Sequence, residues 1–148
     1  MTKTISWIPL CLSIYAASAS SGLYTDALAK CLVDSTSVRD RTELVKWMFA
    51  AASLHPAVKS VVSVSQEQLN DANRRAADLF TRLLTDSCKK EAKEALRYEG
   101  EATLQLSFQV LGQVAGRELF TSPEVGKAMS DFEKYLDEDK FKSLMQKK

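Results

Sequence analysis

Apolar residues return at intervals of three and four along almost the whole chain, which is the spacing of amphipathic helices rather than strands. Between Leu23 and Val33, the residues Tyr24, Ala27, Leu28 and Cys31 share one face, so a first helix is predicted with Cys31 turned inward. Thr36 or Ser37 is placed to cap a second helix, with Asp40 and Glu43 in its first turns, where carboxylates favour the helix dipole. That helix is expected to run to Leu54, because Pro56 disfavours helical geometry at His55. Its LVKWMFAAASL stretch is apolar nearly all round, which predicts a central helix. Residues 57–64, AVKSVVSV, are the one strand-like run; with no hairpin partner they are expected to form a packed connection.

Ser65 with Gln68 three residues later reads as a capping box opening a third helix. Leu69, Ala72, Ala76, Phe80 and Leu83 form its inward stripe, and Asp71–Arg75 and Asp78–Arg82 are four-residue charge pairs outside. Asp86-Ser87 restarts the chain into a fourth helix from Cys88 to about Glu99, with Cys88, Ala92, Ala95 and Glu99 on one face and Gly100 as its end. The fifth helix, about Glu101 to Leu119, pairs an apolar stripe of Leu104, Phe108, Leu111, Ala115 and Leu119 with a polar row, Glu101, Gln105, Gln109, Gln113 and Arg117. Gly112 and Gly116 beside that row predict close approach by a neighbouring helix. Ser122-Pro123-Glu124 starts a sixth helix, expected to bury Val125, Met129, Phe132 and Leu136. Asp137-Glu138-Asp139 then opens a short last one with Phe141, Leu144 and Met145. No internal repeat or long linker divides these elements, so the expected fold is a single compact all-α domain of about six helices.

Residues 1–19, MTKTISWIPLCLSIYAASA, do not belong to this pattern. One lysine, an apolar run from Ile5 to Ala17 and the small-x-small closure Ala17-Ser18-Ala19 make a signal peptide, with cleavage expected before Ser20. The run is shorter than the roughly 20 apolar residues a spanning helix needs. Removal of these 19 residues from 148 leaves a helical domain of 129, residues 20–148. The full chain has 20 Lys+Arg against 19 Asp+Glu; the leader carries one lysine and no acid, so the remainder has 19 of each and no net formal charge. A neutral domain lacks the excess of Lys and Arg that nucleic acid or anionic lipid requires. Apolar residues at 45% and charged ones at 26% are ordinary globular usage.

The leader also takes Cys11, leaving Cys31 and Cys88. In an oxidising compartment such a pair reads as one disulfide, with two buried thiols or an intermolecular bridge as the alternatives. A bond from the first helix to the start of the fourth would stabilise the domain by about 4 kcal/mol in the chain-entropy treatment.

Chemistry finds little to build on. His55 is the sole histidine, so any histidine-dependent triad would have to use it, at a helix end beside Pro56. No ligand cluster suits zinc, and the glycines match no phosphate-binding spacing. A pair of carboxylates across a cleft would suffice for a glycosidase, but 19 candidates give that idea no specificity. The expectation is therefore a non-enzyme with no cofactor and no metal. Its candidate recognition residues are the polar row Glu101, Gln105, Gln109, Gln113 and Arg117, together with Arg39 and Arg41.

The stretch CLVDSTSVRDRTELVKWMFAAASLHP, from Cys31 to Pro56, with Cys88 following LFTRLLTDS, resembles small secreted all-helical proteins of Gram-negative bacteria that have no assigned function. More loosely, the layout is similar to immunity proteins that guard the periplasm against secreted cell-wall amidases and lysozyme-like toxins. With the signal peptide placing the domain in the periplasm, the expectation is a module, monomer or homodimer, that binds a protein partner; the second resemblance makes a secreted toxin the most concrete one. A periplasmic chaperone or stress protein, and a carboxylate-based cell-wall hydrolase, are the alternative expectations.

Overall fold

A computed structural model of the chain describes residues 22–145. The expected signal peptide, residues 1–19, and its expected cleavage point lie outside those residues. Seven α-helices follow one another among the described residues, and no strand occurs. They are α1 (Leu23–Asp34), α2 (Val38–Ala52), α3 (Gln66–Arg82), α4 (Lys89–Glu99), α5 (Ala102–Phe120), α6 (Pro123–Ser130) and α7 (Glu138–Met145). The fold is thus all-α and a single domain, with the short α7 as the seventh helix.

Local chemistry sets the helix starts as expected. Ser37 caps α2: its hydroxyl accepts from the Asp40 N–H at 3.2 Å, and the Asp40 carboxylate accepts from the Ser37 N–H at 2.8 Å. Ser65 and Gln68 form the same reciprocal box at α3. Each box satisfies donors that a helix end otherwise leaves unpaired.

Two helix layers meet around α5. α1 lies against α5 and α4, while α2 lies against α3 and α5. Leu28 and Leu32 of α1, Leu44 of α2, Leu79 of α3, Ala92 and Ala95 of α4, and Leu111 and Ala115 of α5 make the core, with Leu83 and Cys88. Phe80 joins them to Phe108 at 4.4 Å between ring centroids, and Trp47 meets Phe80 edge-on at 5.7 Å.

Between α3 and α4 the helix widens into a π-helical turn, Leu83–Ser87, closed by the Cys88 N–H on the Leu83 carbonyl five residues back at 2.8 Å. The extra residue lets Leu83 and Cys88 both face the core. One disulfide joins Cys31 to Cys88, with 5.8 Å between their Cα atoms.

Several expectations about packing are corrected. In α1 the inward face is Thr25, Leu28, Ala29 and Leu32; Ala27 is exposed, so the face is rotated away from the Tyr24–Ala27 line. α2 is not central: Leu44 and Ala50 are its buried residues, and Ala51 and Ala52 face water. Its small alanines fit an exposed face as readily as a buried one, which is why hydropathy alone misplaced it. The connection 57–64 is packed only in part: Val58 and Val64 are half-buried, while Val61 and Val62 are exposed. Arg82 reaches Asp40 at 3.1 Å, not Asp78, and so ties α3 to the α2 cap. In the C-terminal segment Val125 is half-buried, but Met129, Phe132 and Leu136 are exposed. Of the two glycines in α5, Gly112 faces Met48, whose sulfur would lie 3.9 Å from an added Cβ; Gly116 faces open space.

Candidate functional site

The buried face of α5 carries hydroxyls in its first half. Thr103 and Ser107 are buried alongside Leu111 and Ala115, and both meet Thr25 of α1. Ser107 Oγ donates to the Thr25 carbonyl at 3.1 Å, and Thr25 Oγ1 lies 2.8 Å from Thr103 Oγ1. Thr25 Oγ1 is also 2.6 Å from Glu99 Oε2. A hydroxyl has one proton and a carboxylate only accepts, so Thr25 donates to Glu99 and accepts from Thr103. The Glu99 carboxylate further accepts the Tyr24 and Thr25 N–H groups, each at 2.8 Å. The hydroxyl bond from Thr25, with the two backbone donors, outweighs partial burial and holds the Glu99 carboxyl below the ordinary glutamate range. This network joins α1, α4 and α5, and its groups are consumed in holding the fold.

The disulfide is likewise structural in position. Cys88 is fully buried and Cys31 half-buried, and the Ser35 hydroxyl lies 3.6 Å from the Cys88 sulfur and 3.7 Å from the Cys31 sulfur. His55 accepts the Ala57 N–H on Nδ1 at 3.2 Å, closing the turn after α2.

The sequence-predicted recognition residues separate into three environments. Glu101, at the N-cap of α5, and Gln105, Gln109, Gln113 and Arg117 within it are all exposed; their four-residue steps wind about 40° each around the helix. No side chain in that row is hydrogen-bonded to another described residue. Arg39 is exposed on the first turn of α2. Arg41 is different: its side chain is only 15% exposed, its Nε donates to Glu118 Oε1 at 2.8 Å, and its Nη1 donates to the Thr36 carbonyl at 2.6 Å. It therefore fastens the α1–α2 turn to the far end of α5.

A feature missed in the sequence pattern is a cleft of about 460 Å³ between α2, the connection and α3. Phe49, Ala50, Val62 and Val64 give it apolar walls, and Glu43, Lys46, Gln68, Asp71 and Arg75 rim it. Phe49 is 55% exposed. Trp47, two positions earlier, points the other way and donates its indole N–H to Asn73 at 2.9 Å. The rim charges are paired among themselves: Lys46 with Glu43 at 2.8 Å, Arg75 with Asp71 at 2.8 Å and with Glu43 at 3.8 Å. Arg75 thus bridges the two carboxylates that face this cleft. The available signal was the valine-rich run at 57–64, whose apolar residues have no partner strand or helix stripe to join.

A second groove of about 340 Å³ runs between α2 and α5, with Val38, Val45, Ala115 and Leu119 inside and Arg41, Lys46 and Glu118 at its edges. Among the described residues no three His, Cys, Asp or Glu side chains cluster as a metal site would require, and no helix is long and apolar enough to cross a membrane. Comparison of the chain with protein-family models, with curated proteins and with solved structures found no match.

Proposed function

We propose that the chain is a periplasmic, non-enzymatic protein-binding module, most concretely an immunity protein that covers a secreted antibacterial toxin. The observation that carries this reading is the α2–α3 cleft, where Phe49 and Val62 stand in water beside a rim of already paired charges. Apolar anchors inside a polar rim are the anatomy of a protein interface. Paired rim charges attract little at a distance, so such a surface selects by shape. The exposed α5 row supplies hydrogen-bonding side chains that the fold does not use, and it is the second candidate edge. The bridging of Glu43 and Asp71 by Arg75 favours binding over hydrolysis at this cleft. The chaperone reading draws on the exposed apolar residues of α6 and α7 and predicts weak binding to many unfolded clients.

The test is a titration of purified residues 20–148 against secreted cell-wall amidases and lysozyme-like toxins of neighbouring strains. The expected result is a stoichiometric complex with one of them, weakened about tenfold or more by Phe49→Asp, the effect of losing an interface anchor. The reading is wrong if none binds and deletion of the gene leaves cells no more sensitive to those strains.

A further inference from the structure

The bridge between α1 and the start of α4 has unequal ends. Cys88 has no surface in water and belongs to the core with Leu28, Leu32 and Leu83, whereas Cys31 is half-buried. Its neighbours one turn away along α1, Ala27 and Asp34, are exposed. So is Ser87, whose carbonyl oxygen lies 3.7 Å from Cys31 Sγ. Cys31 therefore stands at the rim of the core and Cys88 inside it.

We infer that this bridge is a modification site opened from one side: a low-mass thiol attacks Cys31, stays there as a mixed disulfide, and releases Cys88. Exchange is a substitution at sulfur, in which the entering thiolate approaches along the line of the bond that it breaks. At Cys31 that line comes in from the rim; at Cys88 it would run through packed side chains. The new bond joins the entering sulfur to Cys31 Sγ, the Cys31–Cys88 bond breaks, and its electron pair leaves on Cys88 Sγ. The thiol is the one co-reactant, and no oxidant is consumed. Two features favour charge on the departing sulfur and offset the cost of its burial. The Ser35 hydroxyl, 3.6 Å from Cys88 Sγ, has a proton to turn toward it. Cys88 is also the N-cap residue of α4, an 11-residue helix whose dipole favours a thiolate at that end. The step reverses when the Cys88 thiolate attacks Cys31 and expels the thiol. Opening uncouples α1 from α4, so the bound thiol becomes a reversible means of loosening the bundle.

This site shares no residue with the α2–α3 cleft, and its test needs no protein partner. The purified protein, with its bridge closed, is treated with reduced glutathione in native buffer, and timed samples are quenched with N-ethylmaleimide in denaturant. Peptide masses should show glutathione on Cys31 and maleimide on Cys88, with the reverse pattern a minor product. The same reaction run in denaturing urea should place glutathione on both cysteines, because the selectivity belongs to the fold. The thiolated protein should melt lower than the closed one. Glutathione on Cys88 or equally on both cysteines in native buffer, selectivity that persists in urea, a bridge that glutathione leaves closed, or a thiolated protein that melts no lower would each overturn the proposal.

Discussion

The carboxylate of Glu99 occupies the space that a side chain at residue 22 would need. A Cβ built on Gly22 would lie 2.5 Å or less from the carboxyl carbon and both oxygens. Gly22 sits at the N-cap position of α1 and offers no side-chain acceptor, so α1 is capped from 75 residues away by the last residue of α4. The two facts are one device: the missing side chain admits the remote acceptor.

Gly22→Ala should therefore lower stability by about 0.5–2 kcal/mol, the cost of a lost cap, although alanine restricts the unfolded chain more than glycine. In a Glu99→Ala background the same change should cost almost nothing. Thermal denaturation of the two single variants and the double variant measures this coupling, and equal costs in both backgrounds would disprove it.

Acid should weaken the fold through the same residue. Thr25 and the backbone donors hold the Glu99 carboxyl low. At Asp40, burial opposes ionisation, but the Ser37 N–H and hydroxyl with Arg82 overcome it and also hold the carboxyl low. A folded value below the unfolded one stabilises fully above the unfolded value, about 4.3 for Glu and 3.9 for Asp, and the gain disappears as pH falls through the folded value. Melting temperature should be flat near neutrality and fall below about pH 4.3, with a shallower acid decline in Glu99→Gln.

Within the hydroxyl chain, Thr25→Val should cost more than Thr103→Val. The first strips a donor from Glu99 and leaves the Thr103 hydroxyl buried without its acceptor, about 1–3 kcal/mol. The second leaves Thr25 still bound to Glu99 and should cost about 1 kcal/mol. Urea denaturation of both variants decides the order.

Reduction of Cys31–Cys88, 57 residues apart, should lower unfolding free energy by about 4 kcal/mol in the loop-entropy treatment. Denaturant midpoints with and without reductant give the value. A Cys31→Ser/Cys88→Ser chain should match the reduced protein and ignore reductant.

Arg39 and Arg41 should behave oppositely. Arg41→Ala breaks the tie between the α1–α2 turn and Glu118 and should cost about 1 kcal/mol or more, whereas Arg39→Ala should stay within about 0.5 kcal/mol. Melting temperatures of the two variants check this.

The parts of this fold legible in the chain were those governed by local chemistry. Ser37, Ser65 and Ser122 start helices because a hydroxyl three residues ahead of a free N–H has few better uses. Cys31 and Cys88 could be paired because, with Cys11 assigned to the expected leader, one intramolecular combination is left. What failed were judgements about which apolar residues are buried. The LVKWMFAAASL stretch is rich in apolar side chains, yet Phe49 faces the cleft while Trp47 packs on Phe80, a difference set by a neighbour 33 residues after Trp47. Met129, Phe132 and Leu136 have a flawless core spacing and no core to enter. The Thr25–Glu99 bond was illegible for a related reason: its partners lie 74 residues apart, and nothing in either local pattern points to the other. Among the candidate recognition residues, the exposure of Glu101, Gln105, Gln109, Gln113 and Arg117 agrees with their polar character, which is a property of each residue alone. Arg41's role depends on Glu118 and could not be read that way.

The widened turn at Leu83–Ser87 makes the cystine bridge a matter of counting. Wound as an ordinary α-helix at about 100° per residue, the five steps from Leu83 would put Cys88 about 140° around the axis from it; the wider turn brings Cys88 back to the core side and to Cys31. Substitutions that keep the length should be tolerated at the exposed positions Thr85, Asp86 and Ser87. A one-residue deletion there should leave an ordinary helical turn with the Cys31–Cys88 disulfide still formed, whereas a one-residue insertion, about 100° further round, should leave both cysteines as free thiols.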